Sequence, residues 1–484
     1  VLPVPDVDWS ELTVVVAGAG VTGRSVARVM AERAAEVVVV DAGAAEPDRA
    51  ERMRQGLPDG VTLSATTSFP TSGPPRRELV VASPGWRLDA PLFLAAQDAG
   101  VAVWGELDLA WVLQQQSGRP DTVWLPLTGT NGKTTTVRML ESMLRATGRS
   151  AQAVGNVGDP IVDAVCAPNP PELLALEVSS LQLSRSTVMR PWAAAALNLA
   201  PDHLDWHDGW DNYFAAKAKV FDRTASACVF NTADPSTRRM VEQADVVEGC
   251  RAIGITAGIP RTGELGVVDD LLIDRGFGDD RESQGVELAT LNDIQPFAPH
   301  NVTNALFAAA LARSAGATPE HVRRGLQRFT AEPHRIADAG TVQGVRFVDD
   351  SKATNPHAAQ ASLSAFDDVV WVAGGLAKGV AFDDLVTAIA SRLRGVVLLG
   401  QDREVLAQAL ARHAPQVPVV DVDDPDTGPM ELMRRAVGRA FALAGPGSTV
   451  LLAPACASMD RFRDYHERGE LFAAAARELG EATS

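Results

Sequence analysis

Cysteine is scarce and scattered in this sequence: Cys166, Cys228, Cys250 and Cys456 stand alone, with no C-x-x-C spacing. That pattern excludes a disulfide framework and a paired-cysteine zinc site, and it leaves reduced thiols. A basic run is also missing. With a formal net charge of −17 the chain repels phosphate backbones, so nucleic acid is not expected as a partner. No apolar stretch approaches the roughly 18–20 residues that cross a bilayer, so no membrane insertion is expected. The opening VLPVPDVDWSEL is acidic, unlike a basic signal segment, and a cytoplasmic location is expected. The absence of a short-period repeat excludes a solenoid.

What is present is ordinary globular composition, 46% hydrophobic and 22% charged, in a chain long enough for about three domains. Apolar runs that read as buried parallel strands alternate with Ala-rich helical stretches from end to end, the pattern of α/β layers. The first block, 1–112, shows strands at 13–17, 36–40, 79–82 and 101–104, and a polar linker follows at 114–121. The second, 113–331, opens with a strand at 122–127 and continues at 173–178 and 193–197. Its Gly- and Asp-rich stretch 254–290 reads as a small antiparallel subsheet, and a helix at 301–315 closes it. After a boundary marked by Pro333, the third block, 332–484, shows strands at 345–348, 369–372, 396–399, 417–420 and 449–452.

Two nucleotide signals stand out. In LPLTGTNGKTTT a strand runs into Gly129, Thr130, Asn131 and Gly132, then Lys133, Thr134 and Thr135 open a helix. Glycines let backbone N–H groups turn toward a phosphate, the helix N-terminus adds positive potential, Lys133 neutralises charge, and the Thr134 hydroxyl can ligate Mg²⁺. The loop departs from G-x-x-x-x-G-K-[ST] because Leu127 takes the place of the first glycine. Nearer the N-terminus, GAGVTG at 18–23 follows a strand and opens a helix, and Asp41 ends the next strand. Such a fingerprint suits NAD, FAD or a UDP-sugar alike, since backbone amides approach a pyrophosphate and an acid accepts from a ribose hydroxyl. SPG at 83–85 reads either as a second loop over the same diphosphate or as an ordinary turn. A nicotinamide oxidoreductase explains the first block but not the second loop, and a motor-like ATPase explains only the second.

TGTNGKTT, LEVSSLQL, LNLAPDHLDWH, AAKAKVF, HNVTNAL, PHR, DDSKATNP and PACASMDRF, in this order, resemble the Mur ligases of peptidoglycan synthesis across nearly the whole chain. DSKATN at 350–355 points to the D-glutamate-adding branch. The resemblance implies a Rossmann-like N-terminal domain, a central P-loop ATPase-type sheet and a Rossmann-like C-terminal domain. It also implies a cytoplasmic, monomeric ligase that joins D-glutamate to UDP-N-acetylmuramoyl-L-alanine through an acyl phosphate, using ATP and two Mg²⁺. By the same resemblance Lys133, Glu177, His203 and Lys217 are catalytic. Thr134 and Glu177 would hold one metal; His203 and Lys217, as a CO₂-derived carbamate, would hold the other. Read without the resemblance, Lys217 and Lys219 are solvated helix lysines and His203 a surface histidine. A buried carboxylate at Glu177 is costly without a cation or donor, which favours a ligand role. Residues 129–135, Asn301, Arg335 and Asp350 match ATP contacts; Val21, Thr22, Gly23, Asp41, Ser83 and Asn156 match contacts to the UDP substrate; and Thr354, Lys378, Ser458 and Tyr465 match the D-glutamate pocket.

Overall fold

The computed structural model describes residues 7–66, 77–118, 121–278 and 280–483. Residues 119–120 of the expected linker lie outside the described residues. Three α/β sheets are built in succession, and the chain divides into two compact units, Val1–Asp293 with Thr303–Phe329, and Ile294–Val302 with Thr330–Ser484.

The first sheet contains β1 (Leu12–Ala17), β2 (Glu36–Val40), β3 (Thr62–Ser64), β4 (Arg77–Ala82) and β5 (Ala102–Gly105) in the order β3-β2-β1-β4-β5. All neighbours are parallel. The run LTVVVA of β1 is buried throughout, as a parallel strand covered on both faces requires. At its end the chain turns through Gly18 into the helix Val21–Ala31. A Cβ on Gly23 would fall 1.8 Å from the Gly18 carbonyl oxygen, so only glycine lets this helix pack so closely on the strand end.

The helix Glu106–Gln116 leads out of this sheet, reaching beyond residue 112 and into the segment read as a linker. It carries two buried acids into the second block. Glu106 Oε1 accepts from Ile161 N at 2.6 Å and Val162 N at 3.3 Å, at the start of the helix Ile161–Val165. Asp108 accepts from the amides of Thr187 and Val188 and from the Thr187 hydroxyl. Trp111 then packs edge-on against Trp124, ring centroids 5.2 Å apart.

The second sheet holds β6 (Val123–Thr128), β7 (Ala151–Gly155), β8 (Leu173–Glu177), β9 (Ala193–Ala196), β10 (Ala227–Asn231), β11 (Arg251–Ile255), β12 (Glu264–Val268), β13 (Leu271–Asp274) and β14 (Val286–Thr290). Their order is β14-β13-β12-β11-β10-β9-β6-β8-β7. The strands β12, β13 and β14 form the antiparallel piece expected within 254–290, while β12 joins β11 in parallel. In both sheets the first strand, β1 or β6, lies between strands reached in opposite directions. Loops at the carboxyl ends of such strands form the crevice where open α/β sheets bind ligands.

In the second unit the third sheet holds β15 (Ala337–Val342), β16 (Val345–Asp349), β17 (Val369–Ala373), β18 (Leu393–Leu398), β19 (Val419–Asp421) and β20 (Thr449–Leu452), ordered β15-β16-β20-β17-β18-β19. The hairpin β15–β16 turns through Gln343 and Gly344, both at positive φ, and the remaining pairs are parallel. No helix among the described residues is long and apolar enough to cross a membrane.

Burial pushes the Glu106 carboxyl up to about 7, against the two amides that favour its charge. The folded value lies above the unfolded one. This contribution is therefore present below about pH 4.5 and is lost as pH rises through about 7, a swing of about 3 kcal/mol. Glu106→Gln keeps an acceptor for the two amides and removes the charge. The expected outcome is a thermal midpoint that falls less than wild type between about pH 5 and about pH 8; parallel pH curves would refute the burial effect.

Candidate active site

Strand β6 delivers the loop 129–132 to the helix Lys133–Ala146, whose first turn carries half-buried Thr134 and buried Thr135. Gly132 caps this helix at φ +82°, and a Cβ there would lie 2.5 Å from Asn304 Oδ1, so both conformation and space demand glycine. Asn198, just beyond β9, clamps the loop. Its Oδ1 accepts from Thr130 N at 3.1 Å and Asn131 N at 2.9 Å, and its Nδ2 donates to Asn131 O at 3.1 Å. The Thr130 hydroxyl bonds Ala200 O, Ala200 N and the Tyr213 hydroxyl.

Two lysines converge on this loop. Lys133 Nζ donates to Gly129 O at 2.8 Å and Thr130 O at 3.0 Å. Lys217, from the helix Trp210–Ala218, donates to the same Gly129 oxygen at 2.8 Å and to Thr128 Oγ1 at 3.3 Å. Lys217 is buried, 3% exposed. Burial first and the Lys133 charge second hold its amine well below the usual lysine range, against the pull of the Asp202 and Glu177 carboxylates. Lys219, the neighbouring alternative, instead donates to Ser184 O at 2.7 Å.

Glu177 ends β8 opposite Leu127 of β6 and is buried. Its Oε1 accepts from Asn156 Nδ2 at 2.8 Å, but its Oε2 is buried without a hydrogen-bond partner. An unpaired buried carboxylate oxygen beside a phosphate-binding type of loop fits a cation. Among the described residues no three His, Cys, Asp or Glu side chains are grouped as a metal cage. Magnesium suits such a setting, because it takes one or two protein oxygens together with phosphate oxygens and water. Asn156, matched above to the UDP substrate, is thus placed where it orients Glu177.

His203 sits at φ 51° in the loop after β9, with an exposed ring 3.6 Å from Asp202. The buried histidine of this segment is His207, which sequence reasoning passed over. Its Nε2 lies 2.9 Å from Ser180 Oγ, between the rings of Trp206 and Tyr213. Burial, then the nearby His203 and Lys217, lower it to about 4.

In the first sheet Asp41 is committed to backbone: Oδ2 accepts from Ala19 N at 3.0 Å and Oδ1 from Gly43 N at 2.9 Å. It thereby ties the ends of β1 and β2. Ser83 follows β4, its amide on Ala17 O and its hydroxyl buried without a partner close to Gly18. Val21 is exposed and Thr22 half-buried at the helix N-terminus, with Gly23 beneath them.

In the second unit, Asp350 is buried and accepts from Ile336 N at 3.3 Å and from the Ser362 hydroxyl. Burial raises its carboxyl to about 6. Asn301 is buried with Nδ2 on Pro296 O, and Arg335 lies 3.8 Å from Glu332. Thr354 and Tyr465 are half-buried, Ser458 is buried, and Lys378 is exposed at φ 52°. Lys352, not singled out from sequence, sets its ammonium 3.7 Å from the centre of the Tyr465 ring.

Lys217 is expected to titrate well below the ordinary lysine range, and Lys133→Met to raise its titration midpoint by removing the adjacent cation. Lysine-selective NMR at the ε-carbon reads both; a midpoint at the ordinary value of about 10.4 would refute the effect of burial.

Comparison with known proteins follows the three sheets. Residues 12–105 match the Mur ligase MurD-like N-terminal domain, 127–312 the Mur ligase middle domain, and 334–456 the Mur ligase glutamate ligase domain. The chain is 51% identical over 98% of its length to UDP-N-acetylmuramoylalanine--D-glutamate ligase of Streptomyces coelicolor, of which 99% is covered. The protein of that name from Thermobifida fusca is 53% identical, over 96% of this chain and 98% of the relative. Among solved structures, MurF from Acinetobacter baumannii superposes with a TM-score of 0.57 at 18% identity, over 84% of this chain and 90% of that one. UDP-N-acetylmuramate-alanine ligase MurC from Thermotoga maritima gives 0.55 at 17% identity, over 96% and 99%. These two likenesses bear on the fold alone. Domain by domain and over its full length, the chain belongs to the Mur ligase family, alongside the UDP-N-acetylmuramoylalanine--D-glutamate ligases.

Proposed function

We propose that this protein joins D-glutamate to UDP-N-acetylmuramoyl-L-alanine at the expense of ATP, giving ADP and phosphate, as a cytoplasmic, monomeric enzyme of peptidoglycan precursor synthesis. The observation that carries the reading is the unpaired Glu177 oxygen beside the loop 129–132, in a chain half identical end to end to relatives named for this reaction. The domains are read as 1–112 for the UDP substrate, 113–331 for ATP and 332–484 for the amino acid.

The terminal alanine carboxylate attacks the γ-phosphorus; an O–P bond forms, the bond to the β-phosphate oxygen breaks, and ADP leaves. The amine of D-glutamate then attacks the acyl carbon, inorganic phosphate departs with the C–O electrons, and the nitrogen loses a proton as the amide forms. Lys133 exchanges its two carbonyl acceptors for phosphate oxygens, and the amides of 129–135 approach the triphosphate. Thr134 and Glu177 would hold one Mg²⁺, and His203 with carbamylated Lys217 the other, where the ions offset the repulsion between a carboxylate and a triphosphate. The neutral amine is the form that adds CO₂, and the deeper burial of Lys217 beside the loop 129–132, while Lys219 instead donates to Ser184 O, supports Lys217 over Lys219. Asn301, Arg335 and Asp350 would contact ATP. Val21, Thr22, Gly23, Ser83 and, through the loop it ties, Asp41 would receive the UDP moiety, with Asn156 near the muramoyl end. Thr354, Lys378, Ser458 and Tyr465 would receive D-glutamate, Lys378 through a carboxylate.

Phosphate release from ATP with UDP-N-acetylmuramoyl-L-alanine, run against a panel of amino acids, tests the assignment. D-glutamate is expected to be the preferred acceptor; equal rates with L-alanine, L-lysine or meso-diaminopimelate would sink it. Lys217→Ala is expected to lower kcat at least about a hundredfold, with partial recovery on adding short carboxylic acids that replace the carbamate oxygens. Full activity without additive would remove Lys217 from the mechanism.

A further inference from the structure

Arg468, in the first turn of the helix Tyr465–Thr483, is 0% exposed. A buried guanidinium ordinarily has a carboxylate against it. The acceptors bonded to this one are neutral, with the Asp460 and Asp349 carboxylates near enough to favour its charge: Nε donates to Ser351 Oγ at 3.0 Å, Nη2 to Ser351 O at 2.8 Å and Nη1 to Cys456 O at 3.2 Å. Burial lowers it to about 10, so it remains a cation at neutral pH. The acceptors come from two segments far apart in sequence, DSKATN and PACASMDRF, and Arg468 is their common partner.

The links run on from there. Ser351 Oγ, accepting from Arg468, donates to Tyr465 O at 2.8 Å. Ala455 N donates to Ala353 O at 2.9 Å, which brings the segment leading to Thr354 alongside the one leading to Ser458. Next to Cys456, Ala457 exchanges two backbone hydrogen bonds with Leu376, 3.0 and 2.9 Å, two residues before Lys378. One guanidinium is thus within one or two hydrogen bonds of the segments bearing Thr354, Lys378, Ser458 and Tyr465.

We infer that Arg468 is the positioning residue of the amino-acid pocket, its three-way fork setting the spacing of the four segments that receive D-glutamate; this rests on the assignment of those four residues above. A planar fork is needed. A lysine ammonium at the end of the same stem is a point charge that cannot reproduce three bonds in fixed directions. Arg468 touches no substrate in this role, so it acts through geometry.

The test is steady-state kinetics on the full-length Arg468→Lys and Arg468→Met proteins, with folding checked by thermal unfolding. The KM for D-glutamate is expected to rise at least about tenfold in both, while the KM values for ATP and for UDP-N-acetylmuramoyl-L-alanine stay within about twofold. An unchanged KM for D-glutamate in a folded variant would overturn the inference. So would a parallel rise of all three KM values, the mark of a merely structural arginine. Should neither variant fold, Ser351→Ala decides: it removes the hydroxyl between Arg468 and Tyr465, and a KM for D-glutamate below about threefold over wild type would overturn the inference. Wild-type protein with no D-glutamate-dependent phosphate release would instead defeat the functional assignment itself, before any variant is compared, and this inference with it.

Discussion

One carbonyl oxygen, that of Gly129, accepts from two lysines, and much of the first unit is arranged around that fact. Two lysines brought to one oxygen repel each other's charge, and the more deeply buried of the two is the costlier to keep protonated. Lys133 is at the open start of a helix and has a second acceptor in Thr130; Lys217 is enclosed. The depression therefore falls on Lys217. Glu177 and Asp202 lie near enough to pull the other way, yet they do not prevail over burial. Charge is distributed over this region by position in the sheet, since β6, β8 and the loop after β9 bring together a lysine, a carboxylate and an amide clamp from stretches up to about seventy residues apart.

The second unit uses the opposite device. There a cation is kept charged at the centre of a polar network, bonded to two carbonyl oxygens and a hydroxyl. The network rigidifies short irregular segments at the ends of β16, β17 and β20, which no sheet ladder would otherwise fix. Loops with satisfied backbone groups and buried anchors hold their shape better than loops held only by their flanking strands.

The phosphate loop and the parallel sheets were legible because their physics is local: β-branched runs for buried strands, glycines at a strand end, a lysine opening a helix. The antiparallel piece within 254–290 was legible for the same reason. Strands β3, β7, β10, β11 and β15 were not read. Thr62–Ser64 is only three residues, and AQAVG and RAIGI carry small or charged residues that break the apolar pattern. For β15 a signal existed in the two-residue Gln343-Gly344 turn. Asn198 stands 67 positions from Asn131, and only the pairing of β6 with β9 makes them neighbours. His207 was missed for a related reason: its burial comes from Trp206, Tyr213 and Ser180, which no local pattern announces. The bond from Asn156 to Glu177 was not legible either, because it depends on the β7–β8 register.

Asp41 shows what such placement does to function. Both of its oxygens are occupied by amides of its own chain, Ala19 and Gly43. The carboxylate acts as a rivet between two strand ends, and the loop beside it has its shape set by the chain itself. A ligand docking at an edge preformed in this way would put little of its binding free energy into ordering the chain. Such an edge presents backbone amides and a helix N-terminus, groups whose chemistry favours an anion and carries little information about anything attached to it.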